Sequence, residues 1–168
     1  MRRCIIVSLV SICLLASCAT IPAKGPRFGG LAETKPGYSL LYIYRPHDNV
    51  GRWVWHDIFL NNTKVVGLAD GSFTYVYVQP GKYSIHAEKS SFLSASDPGP
   101  GEITIEPDST QFLLFDRKHE EYLAPMLPPV PAYKIIYQRW TIIVEKEKAL
   151  PDLSQCQFVE PYVHFVSP

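Results

Sequence analysis

Side chains able to carry acid–base, nucleophilic or metal chemistry are sparse in this chain. The five histidines are His47, His56, His86, His119 and His164, and none pairs at HxH or HxxxH spacing. His47-Asp48 and His56-Asp57 are neighbours, which a strand would send to opposite faces. His119 precedes Glu120 and Glu121 in a polar cluster that reads as a solvated loop. No set of thiolates or histidines has zinc spacing. Asp48, Asp70, Asp108 and Asp116 fall mostly at turns and lack the repeat of a calcium loop. No serine sits in a G-x-S-x-G elbow. Gly29-Gly30 opens neither a dinucleotide fingerprint nor a phosphate loop. A carboxylate pair for glycoside hydrolysis is defined in space, and nothing along the chain marks one. The expectation is no catalytic residue, no cofactor, no metal and no enzyme.

The chemistry that the sequence does announce lies at its start. Met1-Arg2-Arg3 is a short basic stretch, and Cys4 to Leu15 is almost wholly apolar. That run is too short to span a bilayer but fits the core of a signal peptide. It ends in Leu15-Ala16-Ser17-Cys18, which resembles the bacterial lipoprotein signal: an apolar residue, two small residues, then cysteine. The small residues suit a peptidase groove, and the Cys18 thiol would take the diacylglyceryl group. Residues 1–17 are thus expected as signal peptide and Cys18 as the lipidated first residue of the mature chain, its acyl chains (palmitate among them) anchoring it in the membrane. Ala19 follows in place of aspartate, which favours the outer membrane, on its periplasmic face. Residues 18–36, rich in Pro and Gly, read as a flexible tether. Cys4 and Cys13 leave with the signal, so Cys156 remains as a single thiol, expected as a buried small hydrophobe.

Composition agrees with one folded domain over 37–168. Of 168 residues, 46% are hydrophobic and 19% charged, enough to build a core. Lys plus Arg and Asp plus Glu both count 16, so a nucleic-acid partner is not expected. The body then reads as short strands. Tyr38–Arg45 is apolar on both faces, as in a central strand. Trp53–Leu60 and Thr63–Gly67 flank Asn61-Asn62 as a hairpin. Ser72–Gln79 places Phe73, Tyr75 and Tyr77 on one face and Thr74, Val76 and Val78 on the other. Tyr83–Lys89 alternates Tyr83, Ile85 and Ala87 inward with Ser84, His86 and Glu88 outward. Pro80-Gly81 between these two runs reads as a type II hairpin turn. Further strands are expected at Glu102–Glu106, Gln111–Arg117 and Tyr133–Glu145. Lys118–Pro131 breaks the pattern, with a Pro-rich insertion at 125–131. A short helix is expected over Lys146–Leu153, weakened by Pro151, and the apolar tail from Gln157 packs back on the domain. Seven to nine short, mostly antiparallel strands predict an all-β sandwich, immunoglobulin-like or prealbumin-like.

Three local features carry a resemblance. They are the strand ending Tyr42-Ile43-Tyr44-Arg45-Pro46, the run from Asp70-Gly71-Ser72-Phe73 through Val78-Gln79-Pro80-Gly81-Lys82-Tyr83, and the late strand leading to Phe115. Over Gly37 to Asp116 the chain resembles the bacterial lipoprotein family known as domain of unknown function 2846, and its turns are similar to those of PEGA-type surface modules. The resemblance implies a small sandwich on a lipoprotein and brings no catalytic residue.

Trp53, Trp55, Tyr42 and Tyr44 form the candidate recognition surface, with Trp53 and Trp55 foremost because Arg52 and His56 flank them. Packing in a core is the other use of such residues. The Pro-rich segment could dock a partner as a polyproline helix or cross one end of the sandwich. The function these readings predict is a lipid-anchored envelope lipoprotein whose domain is a non-catalytic protein-interaction or structural module, an envelope protein being the partner it would engage. The alternative is a module for a periplasmic glycan or small ligand.

Overall fold

Apolar residues on both faces of one strand require cover on both sides, and that requirement organises this fold. The structure is a computed structural model; it describes residues 23–47, 55–89, 101–124 and 132–168, with side chains except at 89 and 116–141. Ten strands and one helix occur among these residues. They are β1 (Ser39–Arg45), β2 (His56–Leu60), β3 (Thr63–Leu68), β4 (Ser72–Val78), β5 (Gly81–Lys89), β6 (Gly101–Ile105), β7 (Thr110–Ala124), β8 (Ala132–Val144), α1 (Lys146–Gln155), β9 (Gln157–Phe158) and β10 (Phe165–Val166). One sheet runs β10-β4-β1-β7-β8, with β9 also on β4; the other runs β3-β2-β5-β6. The architecture is the all-β sandwich that the alternation predicts. No helix among the described residues is long and apolar enough to cross a membrane.

Two cores follow from the alternation. Leu41 and Ile43 of β1, Val76 and Val78 of β4, and Tyr83, Ile85 and Ala87 of β5 meet between the sheets. Leu40, Tyr42 and Tyr44 of β1 and Phe73 and Tyr77 of β4 face outward from the first sheet. There α1 brings Ala149 and Leu153, and residues 28–38 bring Phe28, Ala32 and Tyr38. The outer face of the second sheet carries Ser84, His86 and Glu88 at least partly in water.

Three turn signals do a different job from hairpin closure. Asp70-Gly71 joins β3 to β4, Pro80-Gly81 joins β4 to β5, and Pro107-Asp108 joins β6 to β7. Each joins strands of different sheets. Pro80-Gly81 is therefore a corner between layers, which corrects the expected hairpin. The β7 strand also runs further than expected, to Ala124, paired with β8 from Phe112↔Val144 to Ala124↔Ala132. The first proline of that region is Pro125, so nothing before it removes a backbone donor; the Pro-rich insertion at 125–131 lies outside the described residues. The helix continues through Pro151 because Ala149 and Leu153 are buried and offset one lost backbone bond.

The described part of 18–36 is not a free tether. The Gly25 N–H donates to the Phe158 carbonyl at 3.1 Å, and the Phe158 N–H donates to the Pro26 carbonyl at 2.8 Å. A β-carbon on Gly25 would lie 2.3 Å from the Phe158 oxygen, so the residue is there for close approach and not for looseness. Two tyrosines of the outer core hold the same strap. The Ala32 N–H donates to the Tyr42 hydroxyl at 2.6 Å, and the Tyr77 hydroxyl donates to the Glu33 carbonyl at 3.0 Å. Tyr42→Phe is expected to lower stability by about 1 kcal/mol. Urea denaturation would measure this, and an unchanged midpoint would show that the bond carries no net stability.

Candidate functional site

The C-terminal tail completes both sheets and leaves a cleft beside them. From β9 to β10 it lies along the free edge of β4 in parallel register, Phe73↔Phe158 and then Val78↔Val166. Between those contacts it crosses to the other sheet, where the Tyr162 N–H donates to the Val65 carbonyl at 2.8 Å. The tail, the strap at Ala23–Pro26 and the β2–β3 edge thereby enclose an open, mainly apolar cleft of about 640 Å³.

Two aromatic rings stand at this cleft, Trp55 at 41% exposure and Tyr162 at 60%. Gly67 lies between them. A β-carbon there would sit 3.1 Å from the Tyr162 hydroxyl, 3.2 Å from Asp57 Oδ1 and 3.9 Å from Trp55 Cδ1. The missing side chain thus opens the floor. Beside it Lys64 Nζ pairs with Asp57 Oδ2 at 2.7 Å and lies 4.7 Å from the centre of the Tyr162 ring. The hydrogen bond to Asp57 is the first cause that pushes the Lys64 ammonium above its ordinary range. Asp57 Oδ1 is buried and accepts no hydrogen bond among the described residues. Lys24 and Glu160 stand on the rim.

Of the four predicted recognition residues, only Trp55 is placed at this site. Tyr42 and Tyr44 are almost fully buried in the outer core, which corrects their assignment to a surface. Their alternation with Leu41 and Ile43 is visible in sequence, but the layer that covers them comes from 28–38 and α1. Trp53 and Cys18 lie outside the described residues. Tyr162 and Gly67 escape sequence reasoning because only the long-range path of the tail brings them to Trp55.

The remaining chemistry-bearing groups are separate from the cleft or tied into packing. His47 Nδ1 lies 2.5 Å from Asp70 Oδ2, and Arg45 lies 3.6 Å from Asp70 Oδ1. His86 stacks on Phe59 at 4.7 Å, while His164 meets Glu160 at 3.2 Å. Among the described residues no three His, Cys, Asp or Glu side chains are grouped to hold a metal. Cys156 is a buried free thiol. Comparison with known proteins adds nothing to this geometry: no family model, curated protein or solved structure matches the chain.

Proposed function

We propose that the chain is a lipid-anchored lipoprotein of the outer membrane, on its periplasmic face, and that its sandwich is a non-catalytic binding module. The observation that carries the binding reading is the cleft of about 640 Å³ that exposes Trp55 and Tyr162. Its size and largely apolar lining suit a small ligand. The anchor reading rests on Leu15-Ala16-Ser17-Cys18. Five residue steps separate Cys18 from Ala23 at the cleft, a reach of at most about 18 Å. An acylated Cys18 would hold the cleft close to the bilayer surface and supply a high local concentration for any envelope ligand.

A second reading, an envelope-protein partner, has one specific observation in its favour. Among the described residues strand β8 ends its sheet, and Ile142 and Ile143 on it are each 40% exposed. An apolar edge of this kind can accept another strand.

The anchor is tested by growing cells with an alkynyl palmitate and recovering the protein. Wild type is expected to carry the label and to sediment with membranes. Cys18→Ser is expected to lose the label, because Leu15-Ala16-Ser17-Cys18 directs the acyl chains to that cysteine. A labelled Cys18→Ser protein, or an unlabelled wild type, would remove the anchor from the proposal.

A further inference from the structure

We infer that the ribbon formed by β7 and β8 carries a phosphate-binding site at a cross-strand pair of arginines, Arg117 and Arg139. This site is independent of the cleft. It lies where the ribbon leaves the rest of its sheet. Strand β1 pairs with β7 only as far as Leu114, and beyond that point β7 pairs with β8 alone among the described residues. The β7–β8 register runs without a shift to Ala124↔Ala132, so the opposite number and the face of every residue are fixed. Arg117 stands directly opposite Arg139. Residues so placed have their β-carbons about 5 Å apart, and like charges there oppose the pairing of the strands.

The positions around this pair supply no counter-charge. On the same face its neighbours, along and across the strands, are Phe115, His119, Tyr137 and Thr141. The next carboxylate residue on that face of the ribbon is Glu121, four residues along β7 and about 13 Å away. Asp116 and Glu120 belong to the other face, because successive residues alternate. A second like-charged pair in this fold is treated differently. Asp57 stands opposite Glu88 across β2 and β5, and Lys64 of β3 closes on Asp57 at 2.7 Å. The ribbon answers its own pair with nothing comparable, which marks a place for an ion from outside.

The two arginines also select the ion. A carboxylate has two oxygens and one charge, and a single guanidinium satisfies it through two parallel hydrogen bonds. A phosphate group has more acceptor oxygens and, as a monoester, up to two charges, so it takes the fork of two arginines at once. At a membrane such a group comes from a lipid headgroup or from a soluble phosphate ester, and the chemistry recognised is the same.

The test is equilibrium dialysis of the mature chain carrying Cys18→Ser against radiolabelled inorganic phosphate, with sedimentation on phosphatidylglycerol vesicles as a second arm. Removing the thiol keeps an acyl anchor from binding the vesicles by itself. Saturable binding is expected, weakened at least tenfold by Arg117→Gln and by Arg139→Gln. It is expected to be unchanged by Lys82→Gln, which removes the same charge from an exposed position on β5. Arg117→Glu sets opposite charges across the ribbon. It is expected to abolish binding while raising the thermal midpoint measured without phosphate, which keeps the test open if a neutral substitution unfolds the chain. Sedimentation that Arg117→Gln loses makes the phosphate a lipid headgroup. Phosphate binding without sedimentation makes it a soluble ester. Binding in neither arm, or binding that neither arginine variant weakens, would overturn the inference. A midpoint that Arg117→Glu does not raise would show that the protein already answers the pair internally, and would overturn it as well.

Discussion

Deleting residues 157–168 is expected to abolish cooperative folding. The tail is short, but it closes the free edge of β4 and touches both cores. Backbone donors and acceptors of Gly71, Phe73, Tyr77, Gln79 and Val65 all find their partners in it. Each such bond contributes about 1 kcal/mol net, and a buried group left without one costs more. Val166 is buried in the core between the sheets, while Phe158 packs on the outer core against Phe73 and Tyr75. Burial of side chains this size contributes about 1.5–3 kcal/mol apiece. The strap at 25–26 would also lose Phe158, the residue that holds it by two bonds. These losses together reach the whole stability of an ordinary domain, about 5–15 kcal/mol. Thermal unfolding followed by circular dichroism should therefore show no sigmoidal transition in the truncated protein. A transition within a few degrees of wild type would mean that the tail is an appendage.

The same tail shows where sequence reasoning reaches its limit. Faces of β1, β4 and β5 are legible because a period of two residues separates Leu41 and Ile43 from Tyr42 and Tyr44 without knowledge of any neighbour. What covers each face is a long-range property. The strap reads as a linker since Gly25, Pro26, Gly29 and Gly30 have linker composition. One of these glycines instead permits a close backbone approach, which the sequence has no means of displaying. Likewise, Pro80-Gly81 announces a change of direction but not whether the next strand pairs with the last or joins the other sheet. Trp55 can be singled out as a ring beside polar residues. Its partner Tyr162 lies near the other end of the chain, and the pairing of β9 and β10 with β4, with the Tyr162 N–H bond to the Val65 carbonyl, brings it to the same cleft.

Cys156 is expected to resist alkylation in the folded protein by roughly three orders of magnitude. Burial pushes its thiol up to about 12 from an ordinary 9.0, and the carboxylates of Asp152 and Asp70 act in the same direction. Only the thiolate attacks iodoacetamide, so a thiol that titrates at about 12 in place of 9.0 keeps about a thousandth of the ordinary reactive fraction at pH 8. The sulfur is also inaccessible, held 3.3 Å from the Asp152 carbonyl and 3.6 Å from the Arg45 carbonyl. The raised thiol also makes stability depend on pH. Between about 9 and 12 an unfolded chain releases this proton and the native one keeps it. The unfolded state then binds fewer protons, so stability falls as pH rises through that window and is unaffected by this group below it. The full contribution would be about 4 kcal/mol for this buried thiol. Tyr42, Tyr77 and Tyr83 are raised first of all by burial and act in the same direction above their ordinary 10. Urea midpoints should decline steadily across that range, and less steeply in Cys156→Ala. Native alkylation as fast as in urea, or a flat profile to pH 12, would show that the thiol is neither sealed nor linked to folding.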